Sequence, residues 1–203
     1  KIKSFLNSQK DFLSPHTATS TRAVGDAMQD IVAENFKEIV GGKIKEYSAA
    51  FARRAMADLA FYDEDGFYYR VDVKTHRLGT SFNMPNLTSV ERISRFYEDD
   101  KNYFVILMIV YSIKGIHVEV EKIYFVPIEF LSWSCLTLGA LGWGQIQIVN
   151  SSRIKIDTEK SRKKWMIKLC DTLFEFYPSE IAKINERIAH FKKVKKYWFR
   201  KRD

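Results

Sequence analysis

Asp58, Asp72 and Lys74 stand out in the stretch MADLAFYDEDGFYYRVDVKTH, residues 56–76. Asp72 and Lys74 are two apart in an apolar-rich run that reads as a strand, so alternation sends both side chains to one face. Asp58 heads a neighbouring run, and a tight turn would bring it beside Asp72. Two carboxylates forced together repel unless a cation lies between them. Mg²⁺ takes oxygen ligands in octahedral geometry and keeps several waters. Asp58, Asp72 and the backbone carbonyl of Val73 could offer one edge of such a site, with Lys74 aimed at an attacking water or an anionic substrate. This set suits phosphodiester hydrolysis, which asks a site for roughly 20 kcal/mol of barrier lowering, more than one lysine supplies. Asp-x-Lys alone also fits a surface ion pair on an exposed hairpin, and that alternative stays open on spacing. Asp63, Glu64 and Asp65 read as a solvated turn.

The elements that must position these residues follow from periodicity. Val24, Met28, Ile31, Val32, Phe36 and Ile39 recur at helical spacing, predicting a helix over 22–40 that ends at Gly41 and Gly42. Residues 55–62 and 67–74 read as a β-hairpin around Asp63-Glu64-Asp65-Gly66, with Gly66 at positive φ. A loop is expected over 75–86 and a helix over about 87–98, started by Asn86 or Thr88. YFVILMIVYSI, 103–113, is unbroken in its apolar character and predicts a strand buried on both faces. It turns at Lys114-Gly115 into a strand over 118–126. A short helix near 128–133, a glycine-rich loop TLGALGWG and a strand QIQIV, 145–149, come next. Residues 158–200 read as two helices, Pro178 opening the second. The stripe Leu169, Leu173, Phe176, Ile181, Ile184 and Ile188 is expected in the core. Residues 1–21 read as an arm or loop outside it. The expected fold is one α/β (α+β mixed) domain over 1–203: an N-terminal arm, a core with a central mixed sheet flanked by helices over 22–150, and C-terminal helices over 151–203.

Composition bounds the partners. The chain has 203 residues, 46% hydrophobic, and 33 Lys and Arg against 25 Asp and Glu give +8. A basic balance favours polyanions such as nucleic acid or acidic lipid, and solubility alone explains it as well. No apolar run is long enough to span a membrane, and the opening KIKSFLNSQKDF lacks the pattern of a signal peptide, so no membrane partner is expected. Cys135 and Cys170 lack a CxxC partner and read as reduced packing residues of a cytosolic protein.

Asp58-x13-Asp72-Val73-Lys74 resembles the PD-(D/E)xK nuclease superfamily, with Ala57 where the motif has proline. DVKTHRLGTSFNMPN, 72–86, is similar to the stretch in blunt-cutting type II restriction endonucleases where DVKT is followed by a polar loop and Pro-Asn. GQIQIV, 144–149, is similar to their late strand after a major-groove loop, and TRAVGDAMQDIVAENF, 21–36, resembles their early helix. The resemblance covers most of the chain from about residue 14. It implies a homodimeric, Mg²⁺-dependent endonuclease of a bacterial, cytoplasmic restriction–modification system, cutting double-stranded DNA to 5′-phosphate and 3′-hydroxyl ends. Mn²⁺ would substitute, Ca²⁺ would support binding without cleavage, and no organic cofactor is implied. Asp58 and Asp72 become metal ligands and Lys74 the catalytic lysine. Many relatives add a helix glutamate, and Gln29 stands near that position beside Asp30 and Glu34.

DNA contacts follow from the same resemblance. Thr75, His76, Arg77, Thr80, Ser81, Asn83 and Asn86 fall on the loop that approaches the minor groove, with Asn83 at a position that pushes between bases. His76 is expected to touch phosphate or face solvent. Gly142, Trp143, Gln145 and Gln147 fall on the major-groove loop and strand, where glutamine suits adenine. Thr21 and Arg22, at a helix start, suit phosphates. The tail HFKKVKKYWFRKRD could track the DNA backbone or be a solvated helix end. A structure-specific or repair nuclease of the same superfamily and a non-catalytic DNA-binding protein are the competing readings.

Overall fold

The computed structural model describes residues 1–9, 13–48, 57–80 and 84–202. They form two compact units, Lys1–Glu159 and Lys160–Asp203. The first is mixed α/β, as expected. Its main sheet has five strands in the order β1-β2-β3-β5-β6, where β1 is Ile44–Ser48, β2 Leu59–Asp63, β3 Tyr68–Arg77, β5 Asn102–Lys114 and β6 His117–Pro127. All neighbours are antiparallel except β3 and β5, which run parallel. A second, antiparallel sheet has the order β4-β8-β7, from Asn86–Ser89, Gln145–Ile148 and Leu136–Gly139.

Helix α2, Thr21–Val40, starts at Ser20, whose side chain accepts from the Ala23 N–H. Its stripe of Val24, Met28, Val32 and Phe36 is fully buried and shares one core with Val71, Val73, Val105, Leu107 and Ile109 of β3 and β5. Gly25 sits in that stripe because the helix crosses Thr75 closely: a Cβ there would lie 2.6 Å from Thr75 Oγ1. The opposite face of β5, with Phe104, Ile106, Met108 and Val110, is buried too, as the unbroken apolar run predicts. Gly66 takes φ 79° in the β2–β3 turn, as expected. Asp63 does more there than face solvent. Its Oδ1 accepts from the N–H of Asp65 (3.0 Å) and Phe67 (2.9 Å), and its Oδ2 accepts from the Tyr69 hydroxyl at 2.9 Å.

Several expectations are corrected. Residues 1–9 and 13–21 are not an arm or loop outside the core. Helix α1, Ile2–Ser8, buries Leu6 in the core, where Leu13 and Ala18 join it. Asn7 receives the Val120 N–H at 2.7 Å and donates to the Val120 carbonyl at 3.3 Å, and Lys3 donates to the Glu121 carbonyl. A short helix thus covers the edge of β6, groups that would otherwise invite another strand. Strands β4 and β7 form where loop or helix was expected, and β1 forms where no element was assigned. Helix α3, Val90–Phe96, begins after β4 because Ser89, not Asn86 or Thr88, accepts from the Arg92 N–H. The short helix near 128–133 is two single turns, Ile128–Phe130 and Trp133–Cys135. Of the cysteines, Cys135 is buried and Cys170 exposed. No helix among the described residues is long and apolar enough to cross a membrane.

In the second unit the two expected helices are one, α4, Arg162–Trp198, with Pro178 inside it. Proline costs a helix one N–H, and α4 nonetheless runs through it. Trp165 and Leu169 are buried, whereas Ile181, Ile184 and Ile188 are 60%, 47% and 49% exposed. Only the N-terminal part of the expected core stripe is core.

Candidate active site

β2 stops one residue short of completing its ladder on β3, and Asp58 fills the gap. Its N–H donates to the Val71 carbonyl at 3.0 Å, and its carboxylate Oδ2 accepts the Val73 N–H at 2.6 Å. The carboxylate therefore stands where the next backbone acceptor would be. Oδ1 accepts from the Gln29 side-chain amide of α2. In a strand the N–H and C=O of one residue point to the same neighbour, so the Val73 carbonyl is directed to the Asp58 side.

Asp72 and Lys74 occupy the β3 face turned away from α2, opposite Ile106 and Met108 of β5. Asp72 is 5% exposed. Its Oδ1 accepts from Lys74 Nζ at 2.7 Å, while Oδ2 is buried without a protein partner. Burial drives the Asp72 carboxyl up to about 7, with the Asp58 charge adding to the rise and Lys74 opposing it. Burial also raises Asp58, against the pull of the Val73 N–H, Lys74 and the Gln29 amide. The mutual effects put all three ionisable groups within electrostatic reach, so this is no exposed-hairpin ion pair.

Two carboxylates that disfavour each other's charge, one with an orphan oxygen, fit a hard divalent cation. Asp72 Oδ2, the Asp58 carboxylate and the Val73 carbonyl would hold it. Among the described residues no three His, Cys, Asp or Glu side chains gather to bind a metal. Such a two-carboxylate set leaves positions for water and substrate oxygens, as Mg²⁺ prefers.

The other expected site residues divide. His76 shares the face of Asp72 and Lys74 but is 2% exposed, with Nε2 3.0 Å from Ser152 Oγ and Nδ1 buried without a partner. Burial lowers its pKa. It does not face solvent, which corrects that expectation. Thr75 points the other way, over Gly25. Arg77 ends β3, and its carbonyl accepts from Thr80 Oγ1 at 2.7 Å. Ser81 and Asn83 lie outside the described residues. Thr21 begins α2, and Arg22 is exposed with its guanidinium 3.8 Å from Asp26.

On the small sheet, Ile146 and Ile148 are buried while Gln145 and Gln147 share the opposite face. Gln147 donates to Asn86 Oδ1 at 2.5 Å and lies against Gly139, where a Cβ would be 2.8 Å from its amide oxygen. Trp143 is 59% exposed at the tip of the β7–β8 turn. Together with Gly142, Gln145, Ser89 and Arg92 it lines a cleft of about 390 Å³.

Two participants escape the spacing argument. Gln29, not Asp30 or Glu34, is the α2 residue on Asp58, and the two acids are exposed. The resemblance already puts Gln29 near the position of the relatives' helix glutamate. Ser152, bonded to His76, carried none. No protein-family model matches the chain, and no curated protein matches it.

Proposed function

We propose that the chain is a type II restriction endonuclease that hydrolyses both strands of double-stranded DNA at a specific sequence, with Mg²⁺. The observation that carries the hydrolytic reading is Asp72: a buried carboxylate with one oxygen on Lys74 and the other unpartnered, beside Asp58. A structural ion pair has no use for that second oxygen. Sequence specificity, the homodimer and blunt ends with 5′-phosphate and 3′-hydroxyl rest on the resemblance of DVKT, Pro-Asn and GQIQIV.

The residues divide the work. Asp58, held by the Val73 N–H and Gln29, and Asp72 would hold the cation, which would supply positive charge to offset the two carboxylates and the developing charge on the phosphate oxygens. Lys74 orients Asp72 and offers a positive charge to the scissile phosphate or its attacking water. The outward glutamines of β8, one of them fixed by Asn86, present amides suited to base edges.

Plasmid digestion with Mg²⁺ tests the reading. Discrete fragments with one common end sequence are expected, and random degradation or intact plasmid would overturn it. Lys74→Ala should cut roughly 10²–10³-fold more slowly, the scale of losing one preorganised electrostatic group, while still binding its site in Ca²⁺. Full cleavage by that variant would remove Lys74 from the mechanism.

A further inference from the structure

The second unit exposes an apolar seam. Phe174, Tyr177, Ile181, Ile184, Ile188 and Phe191 of α4 step alternately by three and four residues, and all are exposed, Phe174 and Phe191 to 73% and 65%. That alternation is the a/d spacing of a coiled coil. Ile184, Ile188 and Phe191 form an open, shallow apolar surface flanked by Arg187, Lys192 and Lys195. A helix this apolar on one face is uncommon on a monomer surface.

We propose that two copies of this chain associate through this seam as an antiparallel helix pair. Self-pairing follows from the repeat: each large side chain needs a hole of its own spacing, and a second copy of the same helix supplies it. The charges choose the direction. With the helices antiparallel, Phe174 of one copy lies opposite Phe191 of the other, Tyr177 opposite Ile188, and Ile181 opposite Ile184. Glu180 then flanks the seam beside Arg187 of the second copy, and the symmetry repeats that pair. A parallel pair would set Arg187 against Lys192 and Glu180 against Asn185. Glu180 already holds Lys183 of its own helix at 2.7 Å, and a carboxylate has a second oxygen for Arg187. The paired window of 18 residues, 174–191, spans about 27 Å. The inference does not rest on the nuclease reading, and neither DNA nor metal enters its test.

The test is sedimentation of the full chain, without DNA or divalent metal, over a range of concentrations. Wild type should pass from monomer to dimer, and Ile184→Glu should stay monomeric with its helical circular dichroism intact. Arg187→Glu should weaken association roughly tenfold by setting a carboxylate against Glu180, and Glu180→Arg with Arg187→Glu should restore it. Both charges lie outside the apolar seam, so the pair of variants decides even if Ile184→Glu misfolds. Wild type monomeric up to about 100 μM, or Ile184→Glu dimerising normally, overturns the proposal. Tighter association of Arg187→Glu overturns it too, because only a parallel pair would set the new carboxylate against Lys192.

Discussion

Asp72 is pulled two ways, by burial that disfavours its charge and by Lys74 that favours it, and burial wins. The consequence for stability has a definite sign. A carboxyl whose pKa is raised on folding stabilises the fold fully below its unfolded value of about 3.8, and that contribution is lost as pH rises through about 7. Without divalent cation, the wild type should therefore lose stability relative to Asp72→Asn between pH 4 and pH 8, by on the order of 2–4 kcal/mol. Urea unfolding of both proteins at several pH values measures it. Mg²⁺ at pH 8 should restore wild type and leave Asp72→Asn unmoved. A difference that does not vary with pH would show that Asp72 is ionised and satisfied within the fold. At this scale the sequence was legible for Asp58, Asp72 and Lys74, because strand alternation and a short turn determine which residues meet. It was not legible for His76. The residue belongs to the same strand face, but whether that face is wet at position 76 depends on Ser152, distant in the chain, closing over it.

Gly25 links an element to the site that it supports. Helix α2 carries Gln29 to Asp58 only if it lies close on β3, and the contact that sets its height is Gly25 on Thr75. Gly25→Ala gains helix propensity of up to about 1 kcal/mol, yet its Cβ meets Thr75 Oγ1 at 2.6 Å. Steric cost should dominate, with a net loss of about 1–3 kcal/mol and an activity loss larger than stability alone explains, as Gln29 moves off Asp58. Adding Thr75→Ala removes the clashing oxygen, so the double variant should be more stable than the sum of the singles. Additive effects in denaturant melts would place the close approach elsewhere. Elements with one strong local period, α2, β3 and β5, could be read from the sequence within a few residues. Those missed are short and carry their logic in partners. β1, β4 and β7 have four or five residues each, and α1 is held by capping the β6 edge through Asn7 rather than by a long apolar stripe. Pro178 misled because proline marks a helix start only where the preceding residues do not already propagate one.

Across the whole molecule, the +8 charge is the property that its sequence states most plainly, and the Lys- and Arg-rich end of α4 concentrates it. Phosphate contacts release counterions, so log affinity for duplex DNA should fall linearly with log salt, with a slope of about −0.9 per phosphate neutralised. Two kinds of variant should then separate. Replacing Lys193, Lys196 and Lys201 by Gln should weaken binding to every sequence alike and flatten the slope by up to about 3, since each lysine counts at most one phosphate. Gln147→Ala should leave the slope and the non-specific affinity alone and cost about 1–3 kcal/mol at the cognate site only. Its loss also frees Asn86, so Asn86→Ala should reproduce part of the same defect. Fluorescence anisotropy on cognate and scrambled duplexes at several salt concentrations resolves the two effects. If Gln147→Ala weakened both duplexes equally, the small sheet would be a scaffold rather than a reader. Specificity would then have to come from elsewhere, with the exposed Trp143 turn as the next candidate.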